Sequence, residues 1–233
     1  VVTSTHTPTN THTLINPLDP SDVTLSEGNT KVVGVGTGAG GNATIRGTLN
    51  LFENAYFEAE FTASSGDGRG RCGIATYEAA IAADLGGDAF GYALLSNLSY
   101  MKHSGSTSFT QSPTDTVAVG DRIGWLMTDD GFKINIDGSN WNSGNEIATG
   151  LIPSDWFVAA GVDTTGEGVK FYFEEADWSN APVGALAINT TNIAAATTRT
   201  QSNPYEHWFN DIYTGTGVSN KRTTGFPVEF SWT

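Results

Sequence analysis

Gly120-Asp121-Arg122-Ile123-Gly124-Trp125-Leu126-Met127-Thr128-Asp129-Asp130-Gly131-Phe132-Lys133-Ile134-Asn135-Ile136-Asp137-Gly138 holds two strand-favouring runs on either side of a short acidic turn. Phe132, Ile134 and Ile136 are apolar at every second position, while Lys133, Asn135 and Asp137 point the other way. A period of two sets one face on a core and the other in water, so the stretch predicts a β-hairpin. Composition carries that reading outward. Only 15% of the 233 residues are charged and 28 are Gly, with Thr, Ser and Asn abundant. Such a mix suits short strands joined by turns, because long surface helices draw on Glu, Lys and Arg.

Working outward from the hairpin, strand-like runs closed by Gly, Asp or Asn fall at residues 31–35, 43–51, 55–63, 71–77, 89–96, 156–162 and 169–173. Residues 78–85 are Ala-rich, end at Gly86-Gly87 and predict a short helix. No βαβ rhythm and no internal repeat is present, so the expected class is all-β, a two-sheet antiparallel sandwich. Residues 1–30 read as an extended lead-in, 31–180 as the sandwich, 181–203 as an Ala/Thr/Asn linker, and 204–233 as an aromatic-rich extension or the start of a further domain.

A net charge of −14 opposes contact with nucleic acid or an anionic membrane, whose phosphates would repel it. Cys72 is the single cysteine, which excludes an internal disulfide and a cysteine-based zinc site; a buried structural thiol is expected. No apolar run is long enough to span a bilayer as a helix. The first residue is not Met and the last are Phe230-Ser231-Trp232-Thr233, so a processed chain or a fragment is expected.

In order along the chain, several segments resemble the SPRY family, a concanavalin-like β-sandwich. Ala55-Tyr56-Phe57-Glu58-Ala59-Glu60-Phe61 resembles its "YFEVEV" strand, Cys72-Gly73-Ile74-Ala75 its "vGia" strand and Phe90-Gly91-Tyr92-Ala93 its "gYay" strand. Gly120-Asp121-Arg122-Ile123-Gly124 is similar to the "GDvIG" signature, with a "DG...f.iNG"-like hairpin over residues 130–138. Trp156-Phe157-Val158-Ala159-Ala160 and Val169-Lys170-Phe171-Tyr172-Phe173 stand where the family has "yFPav" and "v.fNFG". Glu174-Glu175 replaces the Asn-Phe-Gly ending, and no Pro follows Phe157. The flanks resemble SPRY-containing structural proteins of tailed bacteriophages: Leu14-Ile15-Asn16-Pro17-Leu18 in the lead-in, Pro182-Val183-Gly184-Ala185-Leu186-Ala187-Ile188-Asn189-Thr190-Thr191-Asn192 against "P.GfkaLnTaN", and Ile212-Tyr213-Thr214-Gly215-Thr216-Gly217 against "lYTGtG". The resemblance implies a jelly-roll sandwich in a virion protein.

Glycanases share the concanavalin-like sandwich, and glycoside hydrolysis needs two carboxyl groups about 5–10 Å apart. Glu58 and Glu60 share one face of a strand, but the wet side of an amphipathic strand is the ordinary place for both. No Gly-x-Ser-x-Gly elbow occurs, and the four His residues fall in loop-like settings. Asp129 and Asp130 with Gly131, and Asp163 through Glu167, place hard oxygen ligands on turns as calcium prefers, without EF-hand spacing. Turn geometry alone also selects Asp and Gly there. Tyr100, His103, Phe109, Trp141 and Asn142 fall between the expected strands and are the candidate ligand-binding residues. Trp141 suits stacking on a sugar ring, or equally anchors its loop beneath the sheet edge.

The expected function is a non-enzymatic virion module (tail fibre, tail or head decoration), exposed to the extracellular medium. It would bind a host-surface glycan or another virion protein through sandwich loops, without cofactor, nucleic acid or membrane insertion. A purely architectural, self-associating spacer and a glycanase are the alternatives.

Overall fold

The predicted hairpin forms with Met127 opposite Phe132, Trp125 opposite Ile134 and Ile123 opposite Ile136. A computed structural model describes residues 11–17, 23–35, 43–64, 70–81, 83–96, 100–110, 117–162 and 165–197. The chain divides into Val1–Thr197 and Thr198–Thr233, and the second unit, with the aromatic-rich extension, lies outside the described residues. In chain order the strands are β1 (Val23–Ser26), β2 (Lys31–Gly34), β3 (Ala43–Asn50), β4 (Ala55–Ala63), β5 (Arg71–Thr76), β6 (Gly91–Leu95), β7 (Tyr100–His103) and β8 (Ser106–Thr110). After them come β9 (Arg122–Met127), β10 (Gly131–Ile136), β11 (Ser139–Asn140), β12 (Ala148–Thr149), β13 (Trp156–Val162), β14 (Gly168–Tyr172) and β15 (Leu186–Ala187), then one helix, α1 (Thr190–Thr197).

One sheet runs β1-β2-β14-β4-β9-β10-β11, with β12 beside β10 and β15 beside β4; the other runs β3-β13-β5-β6-β7-β8. The longer pairings are antiparallel, while the short β15 joins β4 in parallel. Alternate residues of the facing strands fill the space between the sheets: Phe57, Ala59 and Phe61 of β4, Trp125 of β9 and Phe171 of β14 meet Cys72, Ile74, Leu94 and Val158 from the other sheet. Phe57 and Trp125 stack with centroids 5.9 Å apart. Aromatic pairs of this kind contribute about 0.5–1.5 kcal/mol beyond the area they bury.

Both outer faces are also covered, which a period of two does not foretell. Residues 77–90 fold over the outer side of the six-stranded sheet. There Ala79 and Leu85 pack on Ala75, Ala93, Leu95 and Ala159. The described residues of 78–85 run as turns and bends instead of the predicted helix. The alanines serve close approach to the small residues of the sheet instead of helix propensity. Residues 174–189 cross the outer side of the larger sheet, and Trp178 meets the Tyr56 ring edge-on at 4.9 Å.

The described parts of the expected lead-in and linker, residues 11–17, 23–30 and 181–197, pack within the same unit. Thr13 donates to Ile188 O, Ile15 to Asn29 O, Thr48 to Leu14 O and Asn16 to Arg46 O, so the N-terminal segment covers the open edge of β3. Ile15 and Ile188 are fully buried. Asn189 caps α1, its side-chain oxygen accepting from Asn192 N at 2.9 Å.

Two glycines of the opening stretch act through space. A Cβ on Gly124 would overlap the Tyr56 hydroxyl and the Asn135 amide, and one on Gly131 would overlap Ala148 O. Gly131 thus begins β10 and admits β12, while the turn itself is Asp129-Asp130, closed by Gly131 N donating to Thr128 Oγ1 at 2.8 Å.

Candidate functional site

Glu58 is fully buried. Its Oε1 accepts from Tyr56 OH at 3.0 Å, Ser179 N at 2.9 Å and Asn180 N at 2.7 Å. Its Oε2 accepts from an Arg122 guanidinium nitrogen at 3.1 Å. Arg122 lies over the Tyr172 ring, 3.2 Å from the centroid, and its Nε is 3.7 Å from Glu60 Oε2. Tyr172 OH donates to the same Glu60 oxygen at 2.7 Å. Burial pushes the Tyr172 phenol up to about 12, helped by its bond to Glu60. Tyr56 is also raised, first by burial and then by the Glu58 charge beside it.

This arrangement corrects the expectation that Glu58 sits on a wet face. Residues 178–180 cover that side of β4, and the N–H groups of Ser179 and Asn180 point at the carboxylate. A catalytic carboxyl must reach its substrate. Glu58 instead holds four donors in a site closed to water, so the pairing of Glu58 with Glu60 serves an internal ion network. Arg122 and Tyr172 complete that network, and sequence reasoning did not single them out.

The predicted ligand residues fall into two groups, Trp141 with Asn142 after β11, and Tyr100, His103 and Phe109 on the paired strands β7 and β8. Trp141 is 2% exposed and belongs to the main core, which is the anchoring role of the two weighed for it. A ring so placed has no face to offer a sugar. It starts a left-handed turn in which Asn142 (φ 51°, ψ 33°) and Ser143 (φ 53°, ψ 29°) precede Gly144, and the Asn142 amide donates to Glu146 O at 2.8 Å. Tyr100 and His103 are not in a loop but on β7. Tyr100 is half-buried against the outer-face cluster of Ala75 and Leu85. His103 stacks on Tyr92 at 4.0 Å, and its Nδ1 lies 2.9 Å from Gly91 O. Phe109 lies on β8, and its side chain is outside the described residues.

Of the candidate calcium ligands, Asp129 and Asp130 are exposed in the β9–β10 turn, where Asp130 accepts from Gly150 N at 3.0 Å. Glu167 is buried, and Asp163 lies outside the described residues. Among the described residues no group of three or more His, Cys, Asp or Glu side chains is placed to hold a metal ion.

The structure does assemble another surface. At one end of the sandwich β5 finishes, β6 and β13 begin, β3 passes to β4 and β9 turns into β10, as the pairings of Thr76 with Trp156 and Phe132 with Met127 require. Tyr92 lies beneath this end, 5.2 Å from Phe132 and 5.5 Å from Trp156. From the segments that leave the strands here project Tyr77, 76% exposed, Ile152, 63% exposed, and Phe90, 43% exposed. Leu186, also exposed, lies beside the start of β4 at this end. Arg46 lies over the Tyr77 ring at 5.3 Å and donates to Tyr77 O at 2.6 Å. These residues went unnoticed in the sequence because Tyr77 and Phe90 read as strand ends. Their one available signal is an apolar side chain next to Gly- and Asp-rich turns.

No family model matches the sequence, and no curated protein sequence matches it. Solved structures are similar in fold. The crystal structure of a human SPRY domain matches with a TM-score of 0.55 at 16% identity, over 65% of this chain and 95% of its own. The SPRY domain of human HERC1 matches with a TM-score of 0.54 at 12% identity, over 67% of this chain and 96% of its own. Stonustoxin matches with a TM-score of 0.50 at 16% identity, over 70% of this chain and 27% of its own. These likenesses do not point to a bacteriophage source. They establish that the chain has the two-sheet sandwich fold of SPRY domains.

Proposed function

We propose that the chain is a non-catalytic binding module that recognises its partner through the loop end bearing Tyr77, Phe90 and Ile152. The observation that carries this reading is the exposure of large apolar side chains from separate segments at one end of a rigid scaffold. Isolated exposed apolar residues are ordinary, whereas a set gathered at one place marks an interaction site. Tyr and Arg, which meet in the Tyr77–Arg46 stack, are among the residue types enriched at binding hot spots. The caging of Glu58 supports a role without chemistry, and the reading calls on no cofactor or metal.

The finer reading is a fibre, tail or decoration protein on the outside of a bacteriophage particle, binding a host-surface glycan or another virion protein. It rests on the flanking segments that resemble such proteins, and mass spectrometry of purified virions tests it. For the binding face, Tyr77→Ala/Ile152→Ala is expected to abolish partner capture on a glycan and virion-protein array. The midpoint of denaturation should stay within about 0.5 kcal/mol of the wild type, as for other exposed positions. Undiminished capture by that variant would remove this face from consideration. Self-association through the same residues, with no other ligand captured, would favour the architectural alternative.

A further inference from the structure

We infer that the partner surface engaged by this loop end is cationic, a protein segment in which Lys or Arg flanks an apolar side chain. The inference rests on the reading of that end as the binding face, and it comes from where the charges go. Seven of the protein's 11 Lys and Arg are among the described residues, and five of these are held by internal carboxylates. Glu27 takes Lys31 at 3.5 Å and Lys170 at 2.7 Å. Asp84 takes Arg71 and Lys102, and Arg122 lies between Glu58 and Glu60. The positive charge is thus drawn to the flanks and outer faces of the sheets.

At the loop end the balance is reversed. Glu78, Asp129, Asp130 and Asp155 are exposed on the turns that surround Tyr77, Phe90 and Ile152. None of the four forms an ion pair with a described cation. The other two described cations are Arg46, whose guanidinium is stacked on the Tyr77 ring, and Lys133 on β10, three residues from Asp130. The face is therefore an apolar centre ringed by carboxylates on a chain of net charge −14.

Interfaces of this anatomy bury an apolar core within a polar rim, and rim charges set on-rate and partner choice more than affinity. Carboxylates on the turns beside the contact act over a screening length of about 8–10 Å. An anionic glycan would be repelled by this rim, and a neutral one would gain nothing from it. A segment presenting Lys or Arg around an aromatic or aliphatic residue satisfies both parts.

The test uses the full chain and a short peptide alternating Arg and Leu, with its Glu-for-Arg analogue as the contrast, read by fluorescence anisotropy at low and physiological salt. The Arg peptide is expected to bind and the Glu peptide not. Asp129→Asn/Asp155→Asn is expected to weaken binding about three- to tenfold. Asp121→Asn/Asp137→Asn, an equal charge change at the other end of β9 and β10, should leave it within about twofold. Tyr77→Ala/Ile152→Ala should abolish it. Equal loss from both Asn pairs would reduce the effect to net charge and overturn the inference, as would failure of the Arg peptide to bind at all. Capture of a neutral glycan that needs Tyr77 and Ile152 but ignores the Asp129/Asp155 pair would leave the face standing and overturn only its cationic partner. Insensitivity of all binding to Tyr77→Ala/Ile152→Ala would overturn the face itself.

Discussion

Glu58 keeps its charge where water does not reach because Arg122 and the N–H groups of Ser179 and Asn180 replace its hydration. Desolvating a carboxylate costs several kcal/mol, and the network offsets that cost only while every donor is met. Glu58→Gln turns one acceptor into an N–H₂ that faces donors, and leaves Arg122 with Glu60 as its one carboxylate partner among the described residues. It is expected to destabilise the fold by about 3–5 kcal/mol in chemical denaturation. Glu60→Gln, half-exposed, should cost about 1 kcal/mol or less. Equal small losses at both sites would contradict the caged-ion account. Alternation along β4 puts Phe57, Ala59 and Phe61 on the core side, opposite Glu58 and Glu60. It was silent about the fate of Glu58, because the residues that bury it lie about 120 positions further along the chain.

At the scale of elements, the left-handed turn after β11 decides what Trp141 does. Residues in the left-handed region cost about 1–2 kcal/mol each unless they are Gly, or Asn with a local hydrogen bond. Asn142 has that bond, and Gly144 (φ 82°) bears no side chain, so much of the strain is relieved and the Trp141 ring is turned into the core. Trp141→Ala is accordingly expected to cost about 3–5 kcal/mol of stability, as a large-to-small change in a packed interior does. A variant of unchanged denaturation midpoint but weakened ligand capture would restore the sugar-stacking role. The segment 77–90 carries the same lesson. Its alanines suit a helix by propensity, but a short isolated helix is marginal in water. Contact with Ala75, Ala93 and Ala159 wins instead, because small residues on both sides let the backbone lie close to the sheet.

At the scale of the whole molecule, the two sheets and the segments over them enclose a core among the described residues, and Cys72 lies in it, fully buried. Burial pushes its thiol well above the usual cysteine range, so little thiolate forms. A maleimide is expected to leave Cys72 unmodified in the native protein and to label it at the rate of global unfolding, followed by mass spectrometry across a denaturant series. Labelling in native buffer at the rate of a free thiol would show the centre to be open. The sequence by itself determined the class of fold, the central hairpin and the inward residues of β4 and β10. All of these follow from the period of the backbone and the size and polarity of neighbouring side chains. Only the tertiary structure decided that Glu58 is caged, that Trp141 is an anchor, and that Tyr77, Phe90 and Ile152 emerge at one end. Each of those outcomes depends on which distant segments the sheet order brings together, and no local pattern encodes that.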